Sequence, residues 1–329
     1  MTEKRKIGPF EVSPVGLGCM SLSHAYGTPP DPEHSRALLN RALDLGCDFL
    51  DTAALYGFGA NEALLGETIS HRRDEFVLAS KCGMTGVDGQ RVIDGRPETL
   101  HRTVDESLRR LKAETIDLYY LHRMDRNVPI EESVGAMGEM VAAGKVRAIG
   151  LSEVSAETLR KAHAAHPIAA VQNEYSPWSR NVELGVLAAT EELGVALVAF
   201  SPTARGFLAG GVRSIADLDE KDLRRTMPRF QAENLERNLA LYARFEALAK
   251  SAGGTPAQLS IAWVLSRGDH VVPIPGTTSL KHLEENFAAG SLDLAADVLA
   301  EIDGLLEPGA IAGARYPEAA QADIDTEEY

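Results

Sequence analysis

The chain has 329 residues, of which 44% are hydrophobic, 25% charged and 6% aromatic, and this composition is typical of a globular protein. Its 33 basic and 48 acidic residues give a net charge of −15, so we expect binding neither to nucleic acid nor to an anionic membrane surface. The most apolar run, VALVAF at 195–200, is too short to span a bilayer.

The cysteines and the N-terminal segment indicate in which cellular compartment the protein is expected. Cys19, Cys47 and Cys82 show neither CxxC spacing nor a nearby histidine cluster, so they predict no disulfide framework and no metal site. The opening MTEKRKIGPF leads into no apolar segment, so we expect neither export nor membrane insertion. A reducing cytoplasm is the expected location.

Along the chain, short apolar runs alternate with longer amphipathic segments. Continuous apolar runs are typical of parallel strands that are buried on both faces. They predict eight strands, at residues 15–18, 48–53, 76–81, 116–122, 146–152, 168–174, 195–201 and 270–276. Segments that open with capping or acidic residues predict helices at 31–46, 61–70, 96–114, 129–145, 155–166, 183–194, 235–254 and 256–268.

Eight strands alternating with helices predict an α/β fold, a (β/α)8 TIM barrel, rather than a doubly wound open sheet, which usually has fewer strands. We therefore expect residues 1–329 to form a single domain. The segment KIGPFEVSP predicts a short N-terminal β-hairpin in front of the first barrel strand.

Two segments lie outside this repeat. Residues 205–234 are rich in charge and glycine and predict a long loop before the last helices and strand. Such loops commonly cover binding sites, here a cofactor, although a disordered surface insertion is the alternative. Residues 318–329 are small and acidic and predict a loosely held tail.

Active sites of TIM barrels lie at the carboxyl ends of the strands. The polar residues at these ends are Asp51, Lys81 and His122, with Tyr56 in the loop after Asp51. A nearby ammonium group lowers the pKa of a tyrosine, so Lys81 would improve Tyr56 as a proton donor, and Asp51 would keep Lys81 charged. His122 would donate a hydrogen bond to a substrate oxygen. Each residue alone is compatible with capping, packing or solvation, but the four together predict carbonyl reduction.

Eight motifs occur in an order that is characteristic of one family. They are GLGCM (16–20), DTAALYG (51–57), ASKCG (79–83), DLYYLHRMD (117–125), VRAIGLSE (146–153), VQNEYS (171–176), AFSPTARGFL (199–208) and PIPGTTSLKHLEEN (273–286). In these motifs the chain resembles the aldo-keto reductase family over nearly its whole length. The resemblance implies a barrel that reduces aldehydes and ketones with NAD(P)H. It also implies that Asp51, Tyr56, Lys81 and His122 form the catalytic tetrad, with Tyr56 as proton donor.

The resemblance further implies contacts to NADPH, with NADH as the alternative cofactor. Those at the nicotinamide end are Gly18, Cys19, Met20, Asp51, Ser152, Gln172 and a stacking Phe200. Those along the pyrophosphate are Ser201, Pro202, Arg205 and Gly206. Those at the adenosine 2′-phosphate and adenine are Gly276, Thr277, Ser279, His282, Glu285 and Asn286.

Two positions depart from the family pattern. Glu153 stands where the family often has an asparagine that binds the nicotinamide carboxamide, and a carboxylate has no NH2 to donate. Residues 276–280 lack the lysine or arginine that the family usually has there, which weakens bidentate recognition of a phosphate, although Thr277, Ser279, Lys281 and His282 can still donate to it. Thr278 or Ser279 would also cap a helix there, and a helix N-terminus attracts anions in any case.

Two other functions are compatible with these residues. Lys81 could form a Schiff base, as in aldolases, although Asp51 would keep its amine protonated. The family also includes cytoplasmic subunits of potassium channels that bind the cofactor with little turnover, and the complete tetrad favours catalysis instead. The expected substrate is a small aldehyde or ketone. Loop residues that would make its pocket hydrophobic, with ordinary packing as the alternative, are Tyr26, Phe58, Met84, Met124 and Trp178.

Overall fold

A computed structural model of the chain describes residues 3–87 and 90–329. In chain order the strands of these residues are β1 Arg5–Ile7, β2 Phe10–Val12, β3 Leu17–Gly18, β4 Phe49–Asp51, β5 Val77–Cys82, β6 Met84–Val87, β7 Gln90–Ile93, β8 Ile116–Leu121, β9 Val146–Ser152, β10 Ile168–Glu174, β11 Ala196–Phe200 and β12 Val271–Ile274. Each predicted strand is present with bounds close to those expected. The hairpin of β6 and β7 was not predicted.

Eight strands form a barrel. They pair in parallel in the order β3, β4, β5, β8, β9, β10, β11, β12. The ring closes where the Gly16 amide donates to the Pro273 carbonyl (3.0 Å) and the Gly18 amide to the Pro275 carbonyl (3.3 Å). The predicted (β/α)8 barrel is therefore confirmed.

The barrel interior is apolar at one end and polar at the other. Phe49 and Ala79 are inward-facing residues of the apolar cluster, which also contains Ile7 and Phe10 of the β1–β2 hairpin. The N-terminal hairpin predicted from the sequence is therefore present, and it packs against the amino-terminal end of the barrel. Because side chains alternate along a strand, the inward positions two residues further on are Asp51 on β4 and Lys81 on β5. Charged groups thus follow directly on the apolar layer.

The helices cover the outside of the barrel. In chain order they are α1 Pro32–Asp44, α2 Ala60–Ile69, α3 Pro97–Leu111, α4 Ile130–Ala142, α5 Ala156–Ala165, α6 Val186–Leu193, α7 Ala232–Ser251, α8 Pro256–Leu265, α9 Leu280–Ala288, α10 Ala296–Leu305 and α11 Glu318–Gln321. α6 begins later than expected because Asn181–Leu184 forms a separate 3₁₀ turn, after which Gly185 has non-helical angles. No helix in the described part of the chain is both long enough and apolar enough to cross a bilayer.

Residues 205–231 form an ordered loop with three 3₁₀ turns, at Ile215–Asp217, Leu223–Thr226 and Pro228–Phe230. The last three residues of the predicted loop, 232–234, already belong to α7. Met227 and Phe230 are buried, and the Leu223 amide donates to the Ala25 carbonyl at 3.0 Å. The alternative of a disordered insertion therefore does not fit this segment.

The C-terminal residues differ from the expectation of a loosely held tail. The Asp325 carboxylate accepts hydrogen bonds from the Ser155 amide (3.1 Å) and the Thr158 hydroxyl (2.7 Å), at the start of α5. Ile324 and Thr326 beside it are buried. An acidic side chain is favourable there because the first amides of a helix lack partners and carry partial positive charge. The acidic composition of the tail therefore serves docking rather than solvation.

Candidate active site

Asp51, Lys81 and Tyr56 are in contact at the carboxyl-terminal end of the barrel. The Lys81 ammonium donates to the Asp51 carboxylate, to the Thr52 carbonyl (2.8 Å) and to the Tyr56 hydroxyl (3.4 Å). Lys81 is 0% exposed and Asp51 2%. The register explains the pairing, since Asp51 lies opposite Ala79 and the next inward position on β5 is Lys81. Three of the four residues selected from the sequence therefore meet as expected.

The pair of Lys81 and Asp51 keeps a charge inside the protein. Burial alone would lower the pKa of Lys81, but the Asp51 carboxylate and the Tyr56 hydroxyl outweigh it and raise that pKa above its ordinary value. Lys81 is therefore an ammonium ion at neutral pH. Gln172 supports the arrangement from β10, because its Nε2 donates to the second carboxylate oxygen of Asp51 at 2.7 Å.

The pKa of Tyr56 differs from the sequence-based expectation. Burial is the largest effect and raises this pKa above its ordinary value, whereas Lys81 acts to lower it, as expected. The net direction is upward because the hydroxyl is almost removed from water. Tyr56 is consequently protonated at neutral pH, with an ammonium group next to the oxygen that would carry the charge of its anion.

His122 follows β8 and completes the group of four. Its ring meets the Tyr56 ring edge to face, with centroids 5.8 Å apart and planes at 85°. Burial, with the charges of Arg123, Lys81 and Arg91, lowers the pKa of His122 well below its ordinary value. A neutral imidazole has one N–H to donate and one nitrogen to accept. Nδ1 is buried without a hydrogen-bond partner among the described residues.

An elongated cleft of about 780 Å³ opens above these four residues. Most of the residues that the resemblance assigned to the cofactor line it: Gly18, Met20, Asp51, Ser152, Gln172, Phe200, Ser201, Pro202, Arg205, Gly206, Gly276, Thr277, His282, Glu285 and Asn286. Cys19 and Ser279 do not. Cys19 is fully buried, and Ser279 is the N-cap of α9, where its hydroxyl accepts from the His282 amide at 3.3 Å.

Arg205 and Glu153 belong to one buried cluster of charges. Arg205 donates to the Glu174 carboxylate (2.7 Å), and Arg315 donates to the carboxylates of both Glu174 (3.0 Å) and Glu153. Burial would raise the pKa of Glu174, but the charges of Arg205, Arg315 and Arg229 lower it to about 2. Glu153, at the position that departs from the family pattern, therefore anchors the C-terminal segment through Arg315.

The structure places two of the five predicted substrate-pocket residues in the cleft and three outside it. Tyr26 and Met84 line the cleft. Trp178 does not, because its ring is 4% exposed and packs on Phe207 with ring centroids 4.2 Å apart. Phe58 is 56% exposed on the surface and Met124 packs against the core, so neither lines the cleft.

Several lining residues were not predicted from the sequence. Among them are His24, Arg91, Arg123, Tyr316, Pro317 and Ala320. Arg123 stands next to His122 in the motif DLYYLHRMD, so the strand-end criterion extended by one residue would have found it. A barrel with an acid–lysine pair, a tyrosine and a histidine at this end of its strands has the architecture of an enzyme that moves protons there.

Comparisons with known proteins agree with this class. The sequence profile of the Aldo/keto reductase family matches residues 14–307. Aldo-keto reductase yakc of Schizosaccharomyces pombe, whose name carries NADP(+), is 43% identical over 327 residues, which cover 97% of this chain and 96% of that protein. Probable aldo-keto reductase 1 of Glycine max is 44% identical over 310 residues, which cover 93% of this chain and 89% of that protein.

Solved structures give the same result. A glycerol dehydrogenase from Gluconobacter oxydans matches with a TM-score of 0.85 at 28% identity, over 93% of this chain and 97% of that one. An aldo-keto reductase from Bacillus halodurans, solved in its holo form, matches with a TM-score of 0.77 at 27% identity, over 97% of this chain and 99% of that one. The chain belongs to the Aldo/keto reductase family. It is therefore an NAD(P)H-dependent oxidoreductase of aldehydes or ketones, as its motifs imply.

Proposed function

We propose that the protein is an NADPH-dependent carbonyl reductase of the alcohol dehydrogenase type, with Tyr56 as the proton donor. The observation that carries this proposal is the position of the Lys81 ammonium, which contacts the Asp51 carboxylate and lies 3.4 Å from the Tyr56 hydroxyl. Bound NADPH supplies the hydride that adds to the carbonyl carbon. The residues of the chain must then hold the carbonyl and deliver one proton to its oxygen.

Tyr56 and Lys81 together provide that proton. The raised pKa keeps the Tyr56 hydroxyl protonated until the carbonyl oxygen becomes basic during reduction. The hydroxyl then gives up its proton, and the fixed Lys81 ammonium stabilises the resulting phenolate. Asp51 and the Thr52 carbonyl hold the ammonium in place, so Lys81 needs no reorientation during the reaction.

His122 is the proposed anchor for the carbonyl oxygen. Its ring lies beside that of Tyr56, and its lowered pKa keeps it neutral at neutral pH. A neutral imidazole can orient the oxygen by an N–H donor without adding a second acid to the site.

The cleft fits a dinucleotide. It extends from Tyr56 to Asn286 on α9, and the first turn of α9 contains no acidic residue, so the positive end of the helix dipole stays available for phosphate. Ser201 (φ 51°) and Arg205 (φ 57°) adopt left-handed backbone angles in the turn after β11. Such tight turns let backbone approach a pyrophosphate closely. NADPH rather than NADH is proposed because of the name of the Schizosaccharomyces pombe relative.

The two alternative functions fit these contacts less well. A Schiff base requires a neutral, accessible amine, whereas Lys81 is 0% exposed and held as an ammonium by Asp51. A binding subunit with little turnover would not require an acid of tuned pKa. Catalysis is therefore the function that the contacts of Lys81 favour.

Replacement of Tyr56 by phenylalanine tests the proposed proton transfer. We expect Tyr56→Phe to lower kcat by about 10²- to 10⁴-fold, which is the usual contribution of a general acid. The dissociation constant for NADPH, measured by fluorescence quenching, should stay within about threefold because the ring is retained. Trp178→Phe serves as a control aromatic variant outside the cleft. A Tyr56→Phe enzyme that keeps wild-type kcat would overturn the assignment of the proton donor.

We also propose that residues 205–234 cover the bound cofactor. Gly206, Leu223 and Met227 of this loop line the cleft, and Leu223 is hydrogen-bonded across it to Ala25. NADPH should then slow limited proteolysis within 205–234. Unchanged cleavage at saturating NADPH would contradict this role. A cytoplasmic location is proposed from the three unpaired, buried cysteines.

A further inference from the structure

Arg123 has hydrogen-bonding capacity that the protein does not use. Its Nη1 makes both of its hydrogen bonds, to the His122 carbonyl (2.6 Å) and to the Ser152 hydroxyl (3.2 Å). Its Nε and Nη2 donate to no residue within 3–87 and 90–329, and no carboxylate of those residues pairs with it. One edge of the guanidinium fork is therefore open on the cleft, which Arg123 lines.

The substrate end of the cleft carries more positive than negative charge. Arg91 of β7 also lines the cleft, and its ion pair is with Asp323, outside the lining residues. The lining carboxylates of the described residues are Asp51 and Glu285. Asp51 is already bound by Lys81 and Gln172, and Glu285 lies on α9, beside β12. This local excess of cations contrasts with the net charge of −15 of the chain.

The position of Arg123 points to the substrate rather than to the cofactor phosphates. Arg123 follows β8, whereas the turn proposed for the pyrophosphate follows β11, three strands further around the barrel. Arg123 is also the immediate neighbour of His122, the proposed anchor of the carbonyl oxygen. An anion held by Arg123 would therefore be part of a molecule whose carbonyl is held by His122.

We propose that the substrate is a carbonyl compound that carries a carboxylate, and that the open edge of Arg123 binds this carboxylate. The planar guanidinium fork matches a carboxylate in two parallel hydrogen bonds. A single unpaired guanidinium also balances a single negative charge. Arg91, which also lines the cleft, adds long-range attraction for an anion. This inference rests on the proposed carbonyl reductase and specifies its substrate class.

Isosteric aldehydes test the inference. A nitro group has the shape of a carboxylate without its net charge, so we would compare the ortho, meta and para isomers of carboxybenzaldehyde with those of nitrobenzaldehyde. We expect the wild-type kcat/KM to be at least about tenfold higher for one or more carboxylates than for the matching nitro compound, although nitro compounds are the more electrophilic aldehydes. Arg123→Gln should reduce kcat/KM for the preferred carboxybenzaldehyde by about 10- to 100-fold, which is the usual cost of losing a charged hydrogen bond. For the matching nitrobenzaldehyde, the same variant should reduce kcat/KM by less than about threefold.

Two control variants and one binding measurement isolate the contribution of the Arg123 guanidinium. Arg160→Gln removes one surface charge outside the cleft, at an ion pair with Glu192, and should leave the preference unchanged. Arg123→Lys keeps the charge without the fork and should fall between wild type and Arg123→Gln. Binding of benzoate and of neutral benzamide to the NADP⁺ complex, measured by calorimetry, reports the same preference without turnover, and Arg123→Gln should abolish the advantage of benzoate.

Each unfavourable result has a distinct meaning. If the wild type turns over nitrobenzaldehydes as well as every carboxybenzaldehyde, the inference is overturned and the carbonyl reductase remains. If Arg123→Gln slows both series equally and weakens NADPH binding, Arg123 belongs to the cofactor site and the inference is also overturned. If no aldehyde of either series oxidises NADPH, the proposed function itself fails.

Discussion

Arg315→Met should destabilise the protein and loosen the C-terminal residues that line the cleft, which are Tyr316, Pro317 and Ala320. The guanidinium of Arg315 bridges the buried carboxylates of Glu153 and Glu174, and its removal leaves both with fewer partners. Loss of one member of a buried ion pair usually costs about 3–5 kcal/mol. With an unfolding entropy of about 0.7 kcal/mol/K for a chain of this size, Tm should fall by about 4–7 °C.

The pH dependence gives this prediction a second readout. The pKa of Glu174 is lowered to about 2 in the folded protein, against an ordinary value near 4.5. A lowered pKa stabilises the folded state above the unfolded pKa, and this stabilisation, about 3 kcal/mol, is lost as the pH falls from about 5 towards 2. Arg315→Met removes part of it. The difference in unfolding free energy between variant and wild type should therefore be constant above about pH 5.5 and shrink below it.

Urea unfolding followed by circular dichroism between pH 8 and pH 3 measures both effects. Arg160→Met, which removes an exposed arginine paired with Glu192, is the matched control and should change stability by less than about 0.5 kcal/mol. A loss below about 1 kcal/mol for Arg315→Met, or a difference that does not depend on pH, would refute the reasoning. Because Tyr316 lines the cleft next to Arg315, KM for aldehydes should also rise in the variant.

Three further variants test other parts of the structure. Lys81→Met should lower kcat by about 10²- to 10⁴-fold while NADPH binding is retained. Without the ammonium, Asp51 would take up a proton and the Tyr56 phenolate would lose its counter-ion. A kcat within tenfold of the wild-type value would contradict this. Trp178→Ala should cost about 3–5 kcal/mol in urea unfolding while leaving the ranking of aldehydes by kcat/KM unchanged, and an altered ranking would instead support a wall of the pocket. Gly66→Ala should lower Tm by several degrees or prevent folding. The added Cβ atom would lie 2.2 Å from the Arg110 carbonyl oxygen, where α2 packs against α3. An unchanged Tm would show that the two helices can move apart.

The barrel and the group of four residues were predictable because both depend on local patterns. Continuous apolar runs indicated the strands, and the first polar residue after each run indicated the carboxyl-terminal face. Asp51 and Lys81 meet because neighbouring parallel strands bring such residues together, whatever lies between them in the chain.

The remaining errors have physical causes. The direction of a loop side chain follows no period, so Trp178 was assigned to the pocket although it packs on Phe207. The partner of Glu153 is Arg315, 162 residues away, and nothing in the local sequence indicates that pairing. The hairpin of β6 and β7 was missed although Asp-Gly at 88–89 is a strong hairpin signal in the sequence.

The register between β4 and β5 has a consequence for how this chain can change in evolution. Asp51 pairs opposite Ala79, and Lys81 faces inward only because it is two residues further along the same strand. Deletion of one residue within β5 would turn Lys81 towards the helix layer and remove the ammonium from Asp51. Insertions in the connection between Ser70 and Glu75 leave that register untouched. Length variation among related chains should therefore accumulate in such connections, while the two strands keep their length.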